Sequence, residues 1–156
     1  IRKFVKNQFE TKHIKTIGVD ISKQPVKLDD GTNVNLLFWD LAGQIHFHLL
    51  HKVYLNGAMG VIIAFDLTRP KTLVNTESWY RILKNYNVDT VPLILVGNKS
   101  DLKDERQIEE SSIKKQMNHL GITDYLETSA KDGSNINELF QLVIHPGSFR
   151  TTGFLP

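Results

Sequence analysis

Three short polar clusters carry the side chains best suited to chemistry: Asp40-Leu41-Ala42-Gly43-Gln44, Asn98-Lys99-Ser100-Asp101 and Thr128-Ser129-Ala130-Lys131. Each directly follows a run with strand character, at residues 36–39, 92–97 and 125–127. In open α/β sheets ligands bind beyond the carboxyl ends of the strands, so the three clusters are expected to converge on one crevice. Taken singly, each has a plain structural reading. An Asp-x-x-Gly after a strand is usually a turn, Asn98–Asp101 could cap a helix, and Ser129-Ala130-Lys131 is unremarkable. Their order, with every cluster at a strand end, is what makes them specific. His46, His48 and His51 suggest zinc, but no cysteine and no carboxylate cluster stands near to complete a ligand set. They read better as histidines facing solvent or a partner. Lys12, His13 and Lys15 could attract phosphate, or form a solvated basic loop.

The elements that must hold these clusters follow from periodicity. Residues 1–10 place Ile1, Phe4, Val5 and Phe9 on one helical stripe with no cap before it, as if a helix were entered midway. Residues 17–28 and 34–39 read as strands around Asp29-Asp30-Gly31-Thr32-Asn33. Asp30-Gly31 is a hairpin signal, so these strands are expected to pair antiparallel. Residues 60–65 and 92–96 are near-continuous apolar runs, the pattern of strands covered on both faces in a parallel sheet. Between them Trp79, Ile82, Leu83 and Tyr86 recur at helical spacing, with Trp79 expected in the core. A second helix carries Ile113, Met117 and Leu120 and stops at Gly121. The last has Asn135 as its cap, Glu138 three residues on, and Ile136, Leu139, Phe140 and Val143 as its stripe. Alternating strand and helix predicts an α/β, doubly wound, mostly parallel sheet.

Composition sets the outer limits. A chain of 156 residues with 40% hydrophobic and 23% charged residues is an ordinary globular domain. One domain over residues 1–147 and an irregular tail over 148–156 are expected. Nineteen Lys and Arg against seventeen Asp and Glu leave +2, too mild a balance to argue for nucleic acid or membrane binding. The chain contains no cysteine, which excludes disulfides, thiolate metal sites, thiol catalysis and a cysteine-linked lipid anchor on this sequence. A soluble, cytoplasmic protein, reaching membranes only through partners, is expected.

With the clusters and elements in hand, the sequence resembles the Ras-superfamily small GTPases, and the Rab branch in particular, from about Phe4 to Val143. Thr16-Ile17-Gly18-Val19-Asp20 resembles the family's switch I, and Trp39-Asp40-Leu41-Ala42-Gly43-Gln44 its switch II entrance. Asn98-Lys99-Ser100-Asp101 is similar to the guanine-reading NKxD motif, and Glu127-Thr128-Ser129-Ala130-Lys131 to the ETSAK motif. The resemblance implies a P-loop NTPase fold and a switch that binds GTP and GDP with Mg²⁺ and hydrolyses GTP to GDP and phosphate. The base-binding set it implies is Phe9, Asn98, Lys99, Asp101, Ser129, Ala130 and Lys131. Guanine offers an N1–H and an N2 amino group side by side, and the two oxygens of the Asp101 carboxylate can accept both. Leaving such a buried group without its partner costs about 1–3 kcal/mol, which rejects adenine. Asn98 would reach the N7 edge, the Lys99 stem and Phe9 would cover the two faces, and the Ala130 N–H would meet O6. At the phosphates, Thr16 and Asp40 would hold Mg²⁺ and the Gly43 N–H would contact the γ-phosphate. Gln44 is the implied catalytic residue, orienting the attacking water. The implied partners are exchange factors, GTPase-activating proteins and effectors at the switch regions of a monomer.

Departures from the pattern bear on the expectation. The phosphate loop, Gly-x-x-x-x-Gly-Lys-Ser/Thr, is absent from the sequence, as is the first strand that precedes it in relatives. Ile45 stands where an acidic residue commonly follows the glutamine, and His13 where an aromatic hydroxyl is common. The final helix is expected to end near His145-Pro146-Gly147. The sequence is therefore expected to be a fragment of a longer product and, by itself, deficient in GTP binding. The alternative is a pseudo-GTPase, a partner-binding module that uses the switch surface without turnover. An ATPase or kinase fails at Asp101.

Overall fold

Alternating polar and apolar residues build the first part of the molecule. In the computed structural model, which describes residues 19–27, 31–41 and 53–144, β1 (Val19–Lys27) pairs antiparallel with β2 (Asn33–Leu41). Their register sets Ile21 opposite Trp39 and Asp20 opposite Asp40. Gly31, just before β2, has φ +85°, a left-handed conformation that suits a residue without Cβ. One face of the hairpin carries Ser22, Val26, Val34, Leu36 and Phe38, all buried or half-buried. The other exposes Ile21, Leu37 and Trp39, the tryptophan ring lying 4.9 Å from that of Tyr54. β2 runs past residue 39, so Asp40 belongs to the strand and does not lie beyond its end.

The chain divides into two compact units, at residues 1–54 and 55–156, and the second is an α/β layer structure. Its elements are β3 (Val61–Asp66), α1 (Pro70–Asn85), β4 (Leu93–Asn98), a 3₁₀ turn (Lys103–Glu105), α2 (Glu110–Leu120), β5 (Asp124–Thr128) and α3 (Ile136–Ile144). β4 lies between β3 and β5, parallel to both, as the continuous apolar runs required. Ile94, Val96 and Leu126 point to one face and pack with Leu139 and Leu142 of α3. Alternate residues Ile63, Phe65, Leu95 and Tyr125 are also buried, so the strands have apolar residues inside on both faces. Helix α1 packs against β3 and α2.

Local chemistry sets the helix ends. Proline at the first position of α1 loses no helical hydrogen bond, since that N–H would have no partner in the helix. Gly121 closes α2 at φ +68°, and the Ile122 N–H donates back to the Met117 carbonyl at 3.0 Å. Two expectations change. Trp79 is half-buried, while Leu73, Thr76, Ile82 and Leu83 supply the inner face of α1. Asn135 does not act as the side-chain cap of α3: at φ +56° it donates from Nδ2 to the Glu127 carbonyl at 2.8 Å, tying the helix start to β5. The helix expected over residues 1–10 and the tail over 148–156 lie outside the described residues. Among those described, no helix is long and apolar enough to cross a membrane.

Gly97 in β4 is a packing requirement. A Cβ there would stand 2.6 Å from the Tyr125 hydroxyl and 3.0 Å from a Leu67 methyl. Tyr125 cannot easily move, because its hydroxyl donates to Glu127 Oε1 at 2.8 Å and its ring stacks on Phe65 at 6.3 Å. Gly97→Ala in the full-length protein should therefore cost about 1–3 kcal/mol in urea unfolding. Adding Tyr125→Phe should return part of that loss by clearing the oxygen. A Gly97→Ala variant as stable as the parent would refute this packing account.

Candidate functional site

Parallel register brings three strand ends to one level. Asp66, the last residue of β3, pairs with Asn98, the last of β4, and Asn98 pairs with Thr128, the last of β5. Two of the three clusters expected at a crevice leave the sheet here and are joined by hydrogen bonds. The Ser100 N–H donates to the Thr128 carbonyl at 3.0 Å, and the Ala130 N–H to Asn98 Oδ1 at 3.2 Å.

Ser129 is the hub of the pair. It is fully buried, and its hydroxyl donates to Asp101 Oδ1 at 2.7 Å. The same oxygen accepts the N–H groups of Lys131 and Asp132, each at 3.2 Å. One small side chain thus shapes its own loop and fixes the carboxylate of the other. Asp101 Oδ2 faces the Lys131 ammonium at 3.8 Å. Each carboxylate oxygen has more than one acceptor site, so Asp101 retains capacity toward a ligand donor pair. The Ala130 N–H already has an acceptor in Asn98, and a ligand oxygen there would share or displace it.

Behind the loops stands a second network. Arg106 makes a forked pair with Glu127, Nη1 to Oε2 and Nη2 to Oε1, both at 2.8 Å, while its Nε donates to the Ile108 carbonyl at 2.9 Å. The hydrogen bond to Glu127 pushes the Arg106 pKa further up, so this guanidinium stays charged. Burial, reinforced by the Glu127 charge, pushes the Tyr125 phenol well above its ordinary value. It therefore remains a neutral donor. Asp132 is held below the usual carboxylate range by the hydroxyl and N–H of Ser134.

Asp66 is the residue sequence reasoning missed. It is buried, yet its carboxylate accepts from the Thr68 N–H and hydroxyl, from Arg69 Nε and from the Lys99 ammonium. Burial alone would raise its pKa; the lysine, threonine and arginine donors more than reverse this, and the carboxyl lies well below its usual range. A signal did exist. An aspartate closing an apolar run, with threonine two residues on, is the pattern of a side chain folding back on its own turn. Lys99 itself has φ +71°, a conformation that costs a residue with a Cβ about 1–3 kcal/mol.

The phosphate-end residues stand differently. Asp40 is half-buried in β2 opposite Asp20. Phe9, Thr16, Gly43 and Gln44 lie outside the described residues, as do Lys12, His13, Lys15, His46, His48 and His51. No group of three or more His, Cys, Asp or Glu side chains among the described residues could cage a metal ion. Magnesium does not require one. It is usually held by one or two carboxylates plus substrate phosphates, and the Asp40 carboxylate suits that chemistry.

The fold is an α/β layer structure with two strand-end loops joined by hydrogen bonds, and comparison with known proteins gives its family. A model of the Ras family matches residues 1–146, so the chain belongs to the Ras family. Within it the chain is Rab-like. It is 36% identical over 138 residues to "Ras-related protein Rab-8B" of Homo sapiens and of Pongo abelii, a match covering 88% of this chain and 66% of theirs. To "Ras-related protein SEC4" of Saccharomyces cerevisiae it is also 36% identical over 138 residues, covering 88% of this chain and 63% of that one. The chain thus spans just under two thirds of the length of these relatives.

Removing the hub gives a direct test of the site's construction. Ser129→Ala takes the acceptor from the Lys131 and Asp132 N–H groups and the hydroxyl from Asp101. The buried groups left without partners should cost about 1–3 kcal/mol in urea unfolding of the full-length protein. A change smaller than about 0.5 kcal/mol, the size typical of a surface substitution, would remove Ser129 from this role.

Proposed function

We propose that the protein is a Rab/Ras-type guanine-nucleotide switch that binds GTP and GDP with Mg²⁺ and hydrolyses GTP to GDP and phosphate. The observation that carries the reading is the buried Ser129 hydroxyl holding the Asp101 carboxylate at 2.7 Å, within a chain of the Ras family. A carboxylate fixed at the mouth of two strand-end loops suits the adjacent N1–H and N2 donors of guanine. By the family resemblance the Lys99 stem and Phe9 would cover the faces of the base, Asn98 would meet its N7 edge, and the Ala130 N–H its O6. Lys131 and Ser129 hold the loop.

At the other end of the ligand, the Thr16 hydroxyl and Asp40 would hold Mg²⁺, which when bound offsets the negative charge of the phosphates. Gly43 would donate its N–H to the γ-phosphate, where a residue without Cβ permits close approach. Gln44 would orient a water in line with the γ-phosphorus. Phosphoryl transfer of this kind depends chiefly on positioning and electrostatics, so turnover without a partner is slow. Exchange factors, activating proteins and effectors would engage the switch regions. The exposed Ile21, Leu37 and Trp39 on one hairpin face supply apolar contact area for such a partner. The same face supports the second reading, a partner-binding module without turnover.

Two substitutions in the full-length protein separate these readings. Asp101→Asn exchanges a carboxylate acceptor for an amide donor, so guanine nucleotides should bind more weakly and xanthine nucleotides relatively better. Competition binding that shows unchanged guanine affinity would end the base-reading role. Gln44→Leu should leave GTP binding intact and slow single-turnover hydrolysis by about 10–100-fold, or about 1.4–2.7 kcal/mol of barrier. An undiminished rate rejects Gln44 as catalytic. GTP binding with no hydrolysis in the parent itself favours the module.

A further inference from the structure

Resting on the guanine-nucleotide reading above, we propose that Asp66 is a positioning residue for base binding, clamping the Lys99 ammonium so that the lysine stem forms a fixed platform for one purine face. The two oxygens of Asp66 divide their work. Oδ1 accepts from the Thr68 N–H at 2.9 Å and the Thr68 hydroxyl at 2.7 Å, bonds that shape the turn after β3. Oδ2 accepts from Arg69 Nε and from Lys99 Nζ, both at 2.8 Å. The first pair suffices for a strand-to-helix turn. The second reaches across the sheet, because Lys99 follows Asn98, the register partner of Asp66.

The clamp has a physical use. A lysine side chain is rich in rotamers, and a ligand that had to order it would bind more weakly for doing so. Here the Asp66 side chain is 6% exposed and holds the ammonium at 2.8 Å. The charge of Lys99 is thereby committed to Asp66, and what it offers a base is hydrocarbon. The left-handed backbone of Lys99, at φ +71°, fits a residue held by its surroundings in a demanding conformation. Arg69 is the contrasting partner. Its side chain is 58% exposed and local in sequence, and it has no part in the base-binding loops.

A double-mutant cycle on the full-length protein tests the clamp, read as the dissociation constant of a fluorescent GDP analogue. Asp66→Asn keeps an oxygen for Thr68 but turns an amide NH₂ toward the two cations, and should weaken binding about 10-fold, or about 1.4 kcal/mol. Lys99→Met keeps a stem without its anchor and should lose about the same factor. If Asp66 acts through Lys99, the double variant also loses about 10-fold, whereas independent effects would multiply to about 100-fold. Arg69→Ala should stay within about two-fold of the parent. A multiplicative double variant overturns the proposal, as does Asp66→Asn binding within about two-fold of the parent. Should Asp66→Asn fail to fold, Lys99→Met decides alone, and affinity within about two-fold of the parent overturns the clamp. Failure of the unsubstituted protein to bind the analogue overturns the guanine reading and the clamp together, which separates that outcome from the others.

Discussion

The site depends on the register of three short parallel strands. Because β3, β4 and β5 end with Asp66, Asn98 and Thr128 as neighbours, the loops that follow start from one level and meet at once. Parallel strands cannot be joined by a tight turn; each crossover must run a dozen or more residues, here through α1 and α2. The residues that touch are therefore distant in sequence. Ser129 and Asp101 are 28 apart and Ala130 and Asn98 are 32 apart, yet both pairs are hydrogen-bonded. A slip of one residue in β4 against β5 would turn every side chain to the other face and part these groups. Apolar burial on both faces opposes that slip, so the core secures the chemistry through register.

Charge is handled at this sheet end by close pairing. Asp66 and Glu127 are acidic residues in or near the interior, and an isolated carboxylate there would be expensive. Each meets a cation with hydrogen-bond geometry: Asp66 the lysine and arginine, Glu127 the forked guanidinium of Arg106. Tyr125 joins the second set with its raised pKa, and its hydroxyl occupies the space that Gly97 leaves. Packing and polar satisfaction meet at the same atoms. A change at Gly97 would thus disturb the Glu127 network as well as the core. Asp66 shows the linkage with pH: its folded pKa is depressed, so its contribution is full above the ordinary carboxylate value of about 4. It declines as pH falls through the folded value.

Much of this was legible in the residues. The apolar runs announced parallel strands, Asp30-Gly31 the hairpin, and Gly121 the end of α2, each through a local rule with a steric cause. The two clusters at Asn98 and Thr128 lie within one residue of the expected strand ends, Asn98 directly after the apolar run of β4 and Thr128 after the short β5. What local rules do not carry is partnership. Nothing in the neighbourhood of Asp66 says that Lys99 will reach it, and the cap pattern at Asn135 gave way to a bond with Glu127 from another element. Trp79 follows the helical period between the buried Thr76 and Leu83, yet it is only half-buried. Period fixes the direction of a side chain along a helix; what waits there is decided by tertiary packing.

A site assembled from long-range contacts ties binding to stability. The loops after β4 and β5 hold their shape through hydrogen bonds that cross between them, and a ligand bridging Asp101, Ala130 and Lys99 would add links across the same gap. Whatever binds the native state alone stabilises it in proportion to the logarithm of its concentration over its dissociation constant. With Ser129 buried and Lys99 held by Asp66, a ligand at these loops would have less side-chain entropy to remove, so more of its contact energy would remain as affinity. On the proposed function, the polar interior near these strand ends would serve preorganisation. A hydrophobic substitute for Asp66 or Ser129 could pack the same volume, but it could not hold a cation or a carboxylate in a fixed direction.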